Sequence, residues 1–146
     1  MNPITLKRIG IQAPEYPQVW TLREEVLRRP LGLSLRDEDL SGETEEYVII
    51  ALQGEAVIGC VMLRPVSKEE LKLRQMAVAE EFQGKGVGAA IVREAEMLAA
   101  EKGFTLITLH ARMNAVPFYE RCSYEAVGDM FSEVGIPHLL MQKSLS

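Results

Sequence analysis

Apolar positions along the chain change their period several times, and each change marks an element. Ile4 and Leu6 alternate with Thr5 and Lys7 in a short first strand that runs on to Ile9. Pro14, Tyr16 and Pro17 punctuate a loop. Over residues 19–29 the spacing becomes helical, with Val19, Leu22, Val26 and Leu27 on one face, and Pro30 ends it. Leu31, Gly32 and Leu33 form an apolar loop, and residues 36–40 predict a short helical turn. Residues 47–52 and 56–63, rich in β-branched side chains, predict an antiparallel hairpin around Gln53-Gly54-Glu55. In the next strand, 70–79, the apolar parity slips between Leu73 and Met76. Such a slip predicts a β-bulge, which would splay this strand from a later neighbour and expose main-chain groups.

A longer helix follows over 89–102. Val87, Ile91, Ala95 and Leu98 line one face, and Gly103 caps the end. Residues 104–109 are a buried strand, so strand, helix and strand read as a right-handed βαβ unit. Asn114 is expected to cap another helix, which carries Val116, Phe118, Tyr119 and Cys122, tolerates Pro117 in its first turn and ends near Ser123. Residues 124–131 and 138–143 predict a final hairpin around a turn running from Glu133 to Pro137. The predicted order is β–α–α–β–β–β–α–β–α–β–β, a mixed sheet flanked by helices in a single α/β domain spanning 1–146.

Composition removes whole classes of function. The 146 residues are 47% hydrophobic, enough to bury a core, and disorder is excluded. A formal net charge of -5 argues against a nucleic-acid partner held through phosphates and is compatible with a cationic amine. No stretch is apolar enough to span a bilayer, and the N-terminus lacks the layout of a signal peptide. Cys60 and Cys122 sit in apolar surroundings without metal-ligand spacing. They read as reduced packing residues of a cytoplasmic protein that holds no metal.

The chemistry concentrates at Gln83-Gly84-Lys85-Gly86-Val87-Gly88, between the bulged strand and the long helix. Glycines let main-chain N–H groups approach an anion, the helix dipole points the same way, and Lys85 adds a mobile cation. The expected ligand is a phosphate. The spacing fits neither a dinucleotide fingerprint nor a nucleoside-triphosphate loop. A glycine-rich connection without a ligand is the plain alternative. The pattern Gln-x-x-Gly-x-Gly resembles the pyrophosphate loop of the GNAT superfamily of N-acetyltransferases. Arg74-Gln75-Met76-Ala77-Val78, the run from Asn114 to Glu120, and Glu133 before Gly135-Ile136-Pro137-His138 are similar to the same family. These matches cover roughly the C-terminal half. One departure is Ser123 before Tyr124, where the family usually has Gly; positive φ there would be mildly costly.

The resemblance implies that acetyl-CoA is the cosubstrate and a primary amine the acceptor, with direct attack in a ternary complex. It implies that the amides of Gln83, Gly84, Lys85, Gly86, Val87, Gly88 and Ala89 hold the pyrophosphate. Backbone groups of Met76, Ala77 and Val78 would pair with the pantetheine arm, the Val78 N–H polarising the thioester carbonyl. Tyr119 would be the general acid, with Phe118 beside it. The resemblance also implies that Asn114 reaches the cofactor, although its capping duty already explains it; Arg121 either meets the adenosine phosphate or lies on the helix surface. For the amine base, Glu133 and His138 flank the last turn, against the alternatives of a turn histidine bonded to backbone and a chain of waters. Glu25 and Glu46 read as solvated, and His110 as structural. A non-catalytic acetyl-CoA sensor with this fold is the alternative function, and a homodimer is compatible with the family.

Overall fold

The computed structural model describes residues 3–145. Seven strands form one sheet in the order β1-β2-β3-β4-β5-β7-β6. They are β1 (Ile4–Ile9), β2 (Tyr47–Gln53), β3 (Ala56–Pro65), β4 (Glu70–Val78), β5 (Leu106–Arg112), β6 (Glu125–Glu133) and β7 (Ile136–Ser144). Only β4 and β5 pair in parallel, as a strand–helix–strand crossover requires. The helices are α1 (Tyr16–Arg23), α2 (Val87–Glu101) and α3 (Val116–Arg121).

Each face of the sheet has its own apolar cluster. Ile91, Ala95 and Leu98 of α2 and Tyr119 of α3 pack with Ile49, Leu63, Leu71, Leu73, Ile107 and Leu109 on one face. Val19 and Leu22 of α1 pack with Val48, Ile50, Cys60, Met62 and Ala77 on the other. Both faces of β2 and β3 are therefore covered, which explains their unbroken apolar runs.

The short helical turn expected at 36–40 forms as a 3-10 turn at Leu35–Asp37, not as a second α-helix. After α1 the chain widens into a π-helical segment, Glu24–Arg28, then forms short 3-10 turns at Arg29–Leu31, Leu35–Asp37 and Ser41–Glu45. The Ser34 hydroxyl accepts from the Arg36 N–H, and the Asp39 carboxylate accepts from the Ser41 N–H. Such local side-chain acceptors compete with helical hydrogen bonding.

The bulge in β4 forms where the parity slip predicts it. Cys60 faces Ala77 and Met62 faces Arg74, so Gln75 and Met76 together oppose Val61. Gln75 takes a left-handed conformation, φ 57. Leu71, Leu73, Met76 and Val78 thus all contact the α2-side cluster, whereas Ala77 joins the α1 side. The parallel ladder runs from Glu70–Leu106 to Leu73–Leu109 and stops. Beyond it the two strands diverge, and β5 is held instead by β7, with Arg112 opposite His138.

Of the boundaries that differ from expectation, three bear on the site. Strand β5 extends through Arg112 rather than ending at 109, because Ile107, Leu109 and Ala111 keep the inward face while Thr108, His110 and Arg112 take the other. The last turn shrinks to Val134 and Gly135, φ 47 and 75, so Glu133 and His138 belong to strands. Two consecutive positive φ values match the twist of a tight hairpin. Asn114 is not the cap of α3: it lies in a 3-10 turn, Met113–Ala115, and Ala115 occupies the cap position without a side-chain bond. Ser123 does adopt positive φ, 72.

Candidate active site

The divergence of β4 from β5 opens a cleft of about 870 Å³. One half is built from main chain. At the end of β4, the Ala79 N–H donates to the Ile58 carbonyl. Successive strand residues point their N–H groups to opposite sides, so the Val78 N–H faces the opening. The Gln83 carboxamide donates to the Val78 carbonyl at 2.9 Å, which ties the glycine loop to the strand. Gly86 starts α2 with φ 84, a conformation costly for any residue with a Cβ. Among the described residues, the amides of Gly84, Lys85 and Gly86 donate to no carbonyl or side chain, and the first-turn amides of Val87, Gly88 and Ala89 have no helical partner. The Val87 side chain is buried in the core, so only its backbone is available. Lys85 stays exposed, its ammonium 5.7 Å from the Phe82 ring centre.

Helix α3 closes this half. A Cβ on Gly88 would sit 3.2 Å from the Phe118 ring, so the glycine lets that ring approach α2 closely. Phe118 meets Tyr119 edge-on at 5.0 Å, and Tyr119 meets Tyr124 at 6.0 Å. Tyr119 is 7% exposed and lines the cleft. Its hydroxyl has no hydrogen-bond partner among the described residues, yet no sealed side-chain oxygen or nitrogen goes unsatisfied; the hydroxyl therefore meets the cleft. Burial pushes its pKa well up, and the Cys122 thiol adds to this. Asn114 and Arg121 also line the cleft.

The other half is built from charged side chains on the α1 face. Lys72 and Arg74 of β4, His110 and Arg112 of β5, and Glu133 and His138 of the last hairpin all line it. Glu133 and His138 come together, with the His138 Nε2 3.7 Å from a Glu133 oxygen. His138 is also bonded to backbone: its Nδ1 donates to the Ile136 carbonyl at 2.8 Å, and its ring stacks on Phe131. His110 has a partner after all. Its Nδ1 lies 2.8 Å from Glu133 Oε1, and its ring meets Phe131 edge-on. Burial pushes the Glu133 carboxyl up, but the hydrogen bond and charge of His110, with His138 and Lys72, outweigh it and hold the group below its ordinary value.

Behind this wall lies a buried ionic network. Arg23, fully buried, donates through two nitrogens to Glu43 at 2.9 and 2.8 Å. Arg74 bonds Glu46 at 2.7 Å and reaches Glu43 at 3.3 Å, while Arg64 bonds Glu46 at 2.7 Å. Glu46 is thus no solvated carboxylate; its side chain is 0% exposed. Glu25 does lie exposed. Arg28 pairs with Glu38 and, like Arg23, donates to the Gln75 carboxamide oxygen. The bulge residue is therefore clamped from the α1 side. Cys60, wholly buried, has its thiol pushed up to about 12 by burial, and both cysteines are free.

A model of the acetyltransferase (GNAT) family matches residues 10–124. The chain belongs to the GNAT family. The uncharacterized protein YyaT of Bacillus subtilis is 36% identical over 147 residues, covering 98% of this chain and 97% of its own. A Lactobacillus plantarum crystal structure gives a TM-score of 0.88 at 24% identity, covering 99% and 100% of the two chains. A GNAT family acetyltransferase from Elizabethkingia anophelis, crystallised with acetyl-CoA bound, gives 0.71 at 17% identity over 97% of each. The seven-stranded mixed sheet here has the same fold as these solved structures.

Sequence reasoning missed His110 and the ionic network. The available signal for His110 was the alternation of Ile107, Leu109 and Ala111, which places it with Thr108 and Arg112 on the opposite face. Among the described residues no group of three or more His, Cys, Asp or Glu is placed to hold a metal ion, and no helix is long and apolar enough to cross a membrane.

Proposed function

We propose that this chain transfers the acetyl group of acetyl-CoA to a primary amine by direct attack within a ternary complex. The observation that carries this reading is the continuity of main-chain donors around the opening. The free N–H side of β4 at Val78 runs directly into the unpartnered amides of 84–89. An extended amide-bearing arm fits the first, and a diphosphate fits the second. The family neighbour crystallised with acetyl-CoA supports the choice of cosubstrate.

In this reading the Val78 N–H polarises the thioester carbonyl, with Met76 and Ala77 continuing the same strand surface. The neutral amine attacks the carbonyl carbon, the C–N bond forms and the C–S bond breaks. Tyr119 faces the departing sulfur. Its raised pKa keeps it protonated at every working pH, so it can donate a hydrogen bond to the developing thiolate. The same shift makes complete proton transfer costly, and charge stabilisation is its main contribution.

We assign the amine's proton to His110 rather than His138. Glu133 accepts from the His110 Nδ1, which leaves the Nε2 lone pair available. The carboxylate then stabilises the imidazolium that forms. His138 is fixed by the Ile136 carbonyl and is 3% exposed, so it is shielded from the acceptor. Cys60 is sealed in the core and carries no acetyl group.

Thiol release from acetyl-CoA in the presence of an amine panel tests the proposal, alongside calorimetric titration with CoA. Binding of CoA with no amine-dependent thiol release would establish a sensor instead. Tyr119→Phe is expected to keep CoA affinity and lower kcat by about 10²-fold.

A further inference from the structure

Gln75, in the bulge of β4, has a side chain with one end tied and the other free. Its carboxamide oxygen accepts from Arg23 at 3.3 Å and from Arg28 at 3.2 Å. Guanidinium groups only donate, so these two bonds fix which way the amide is turned: oxygen toward the arginines, nitrogen away from them. The main chain is pinned as well, with the Cys60 thiol donating to the Gln75 carbonyl at 3.6 Å. The Nε2 group has no hydrogen-bond partner among the described residues. Gln75 is half-buried and lines the cleft, and no sealed side-chain nitrogen goes unsatisfied, so Nε2 meets the opening.

Two further facts separate this donor from a clamp. At φ 57 the backbone favours glycine, yet a long side chain stands there. Arg23 and Arg28 would bond a carboxylate more strongly than a carboxamide, but each already holds one, Glu43 and Glu38. What a carboxamide adds is a neutral N–H donor, one residue before the strand surface assigned to the cosubstrate. We propose that Gln75 selects the acceptor: its Nε2 donates to an oxygen carried close to the reacting amine, a carbonyl or an ether. This rests on the acetyl-transfer reading above. An alkyl amine of the same shape would cover the donor without bonding it, and a covered, unpaired donor is costly. Gln75 is in this way a specificity-determining residue, turned toward the acceptor by the two arginines behind it.

The test uses the full chain saturated with CoA and two pairs of amines matched in shape: glycinamide with isobutylamine, and 2-methoxyethylamine with butylamine. Calorimetry is expected to show the oxygen-bearing member of at least one pair binding about tenfold more tightly than its partner. The pair that shows it identifies carbonyl or ether. With acetyl-CoA the same preference should appear in KM rather than in kcat. Gln75→Glu keeps an oxygen for both arginines and the same backbone demand but has no N–H, and it should erase the preference. Gln75→Met lacks both ends and should erase it too. A purely structural Gln75 predicts otherwise, since the Glu variant would then keep the wild-type preference and only the Met variant would change. That result, a loss falling equally on all four amines, or a wild-type chain that prefers neither oxygen-bearing amine at millimolar concentration overturns the inference. Turnover separates the two levels. A preference in binding without thiol release keeps the Gln75 donor and removes acetyl transfer. Thiol release without any preference does the reverse.

Discussion

The two halves of the cleft are made of different material. The half assigned to the cosubstrate is backbone: a strand edge, a glycine loop and the first turn of α2, all within Met76–Ala89 of a contiguous stretch. The half assigned to the acceptor is side chains from β4, β5, the π-helical segment and the last hairpin, held by a buried ionic network. Backbone donors tolerate substitution wherever the conformation survives. Side-chain charges do not, because each buried member depends on its partners. The first design suits a ligand common to many relatives, and the second suits an acceptor that differs among them.

The sharpest way to break that contrast is Arg23→Met. It removes the main partner of buried Glu43 and is expected to cost about 3–5 kcal/mol of stability, read by denaturant unfolding. Burial pushes the Glu43 carboxyl up, but Arg23 and Arg74 outweigh it and leave the group below its ordinary value of 4.5. A depressed carboxylate stabilises the fold above the unfolded value and loses that contribution as pH falls through the folded one. The wild-type melting temperature should therefore drop on acidification below pH 4.5, and Glu43→Gln should flatten that limb. A smaller effect is expected from His110→Gln, which should lower kcat by about 10²-fold with CoA affinity kept. An unchanged kcat would return the base role to a water chain. On the backbone side, Gly86→Val forces a branched residue into φ 84, at about 1–2 kcal/mol. Calorimetry should show CoA binding about tenfold weaker, with selectivity among acceptors intact. The smallest change is Ser123→Gly. Relieving φ 72 should raise stability by about 0.5–1 kcal/mol and leave kinetics alone.

Legibility followed the same division. The order of elements along the chain, the bulge and the glycine loop were readable, because each is encoded by neighbours in sequence: a parity slip between Leu73 and Met76, three glycines, a helix start. The acceptor side was not. His110 and Glu133 are 23 residues apart and meet only because β7 is laid between β5 and β6. Glu46 follows Glu45 and looked like part of a solvated charge run, yet it pairs with Arg64 and Arg74 across strands. Arg23 lies off the apolar face of the segment 19–29, yet it turns inward onto Glu43. Asn114 misled for a local reason, since the 3-10 turn at Met113–Ala115 shifts the start of α3 past it.

Gln75 shows what the extra residue in β4 accomplishes. Remove it, and the strand would keep step with both neighbours to its end, zipping the sheet shut with a full set of interstrand bonds. Such a molecule would be tidier and stiffer, with no cleft between β4 and β5. Catalytic capacity in this architecture is a defect in pairing, kept open by arginines pulling from behind.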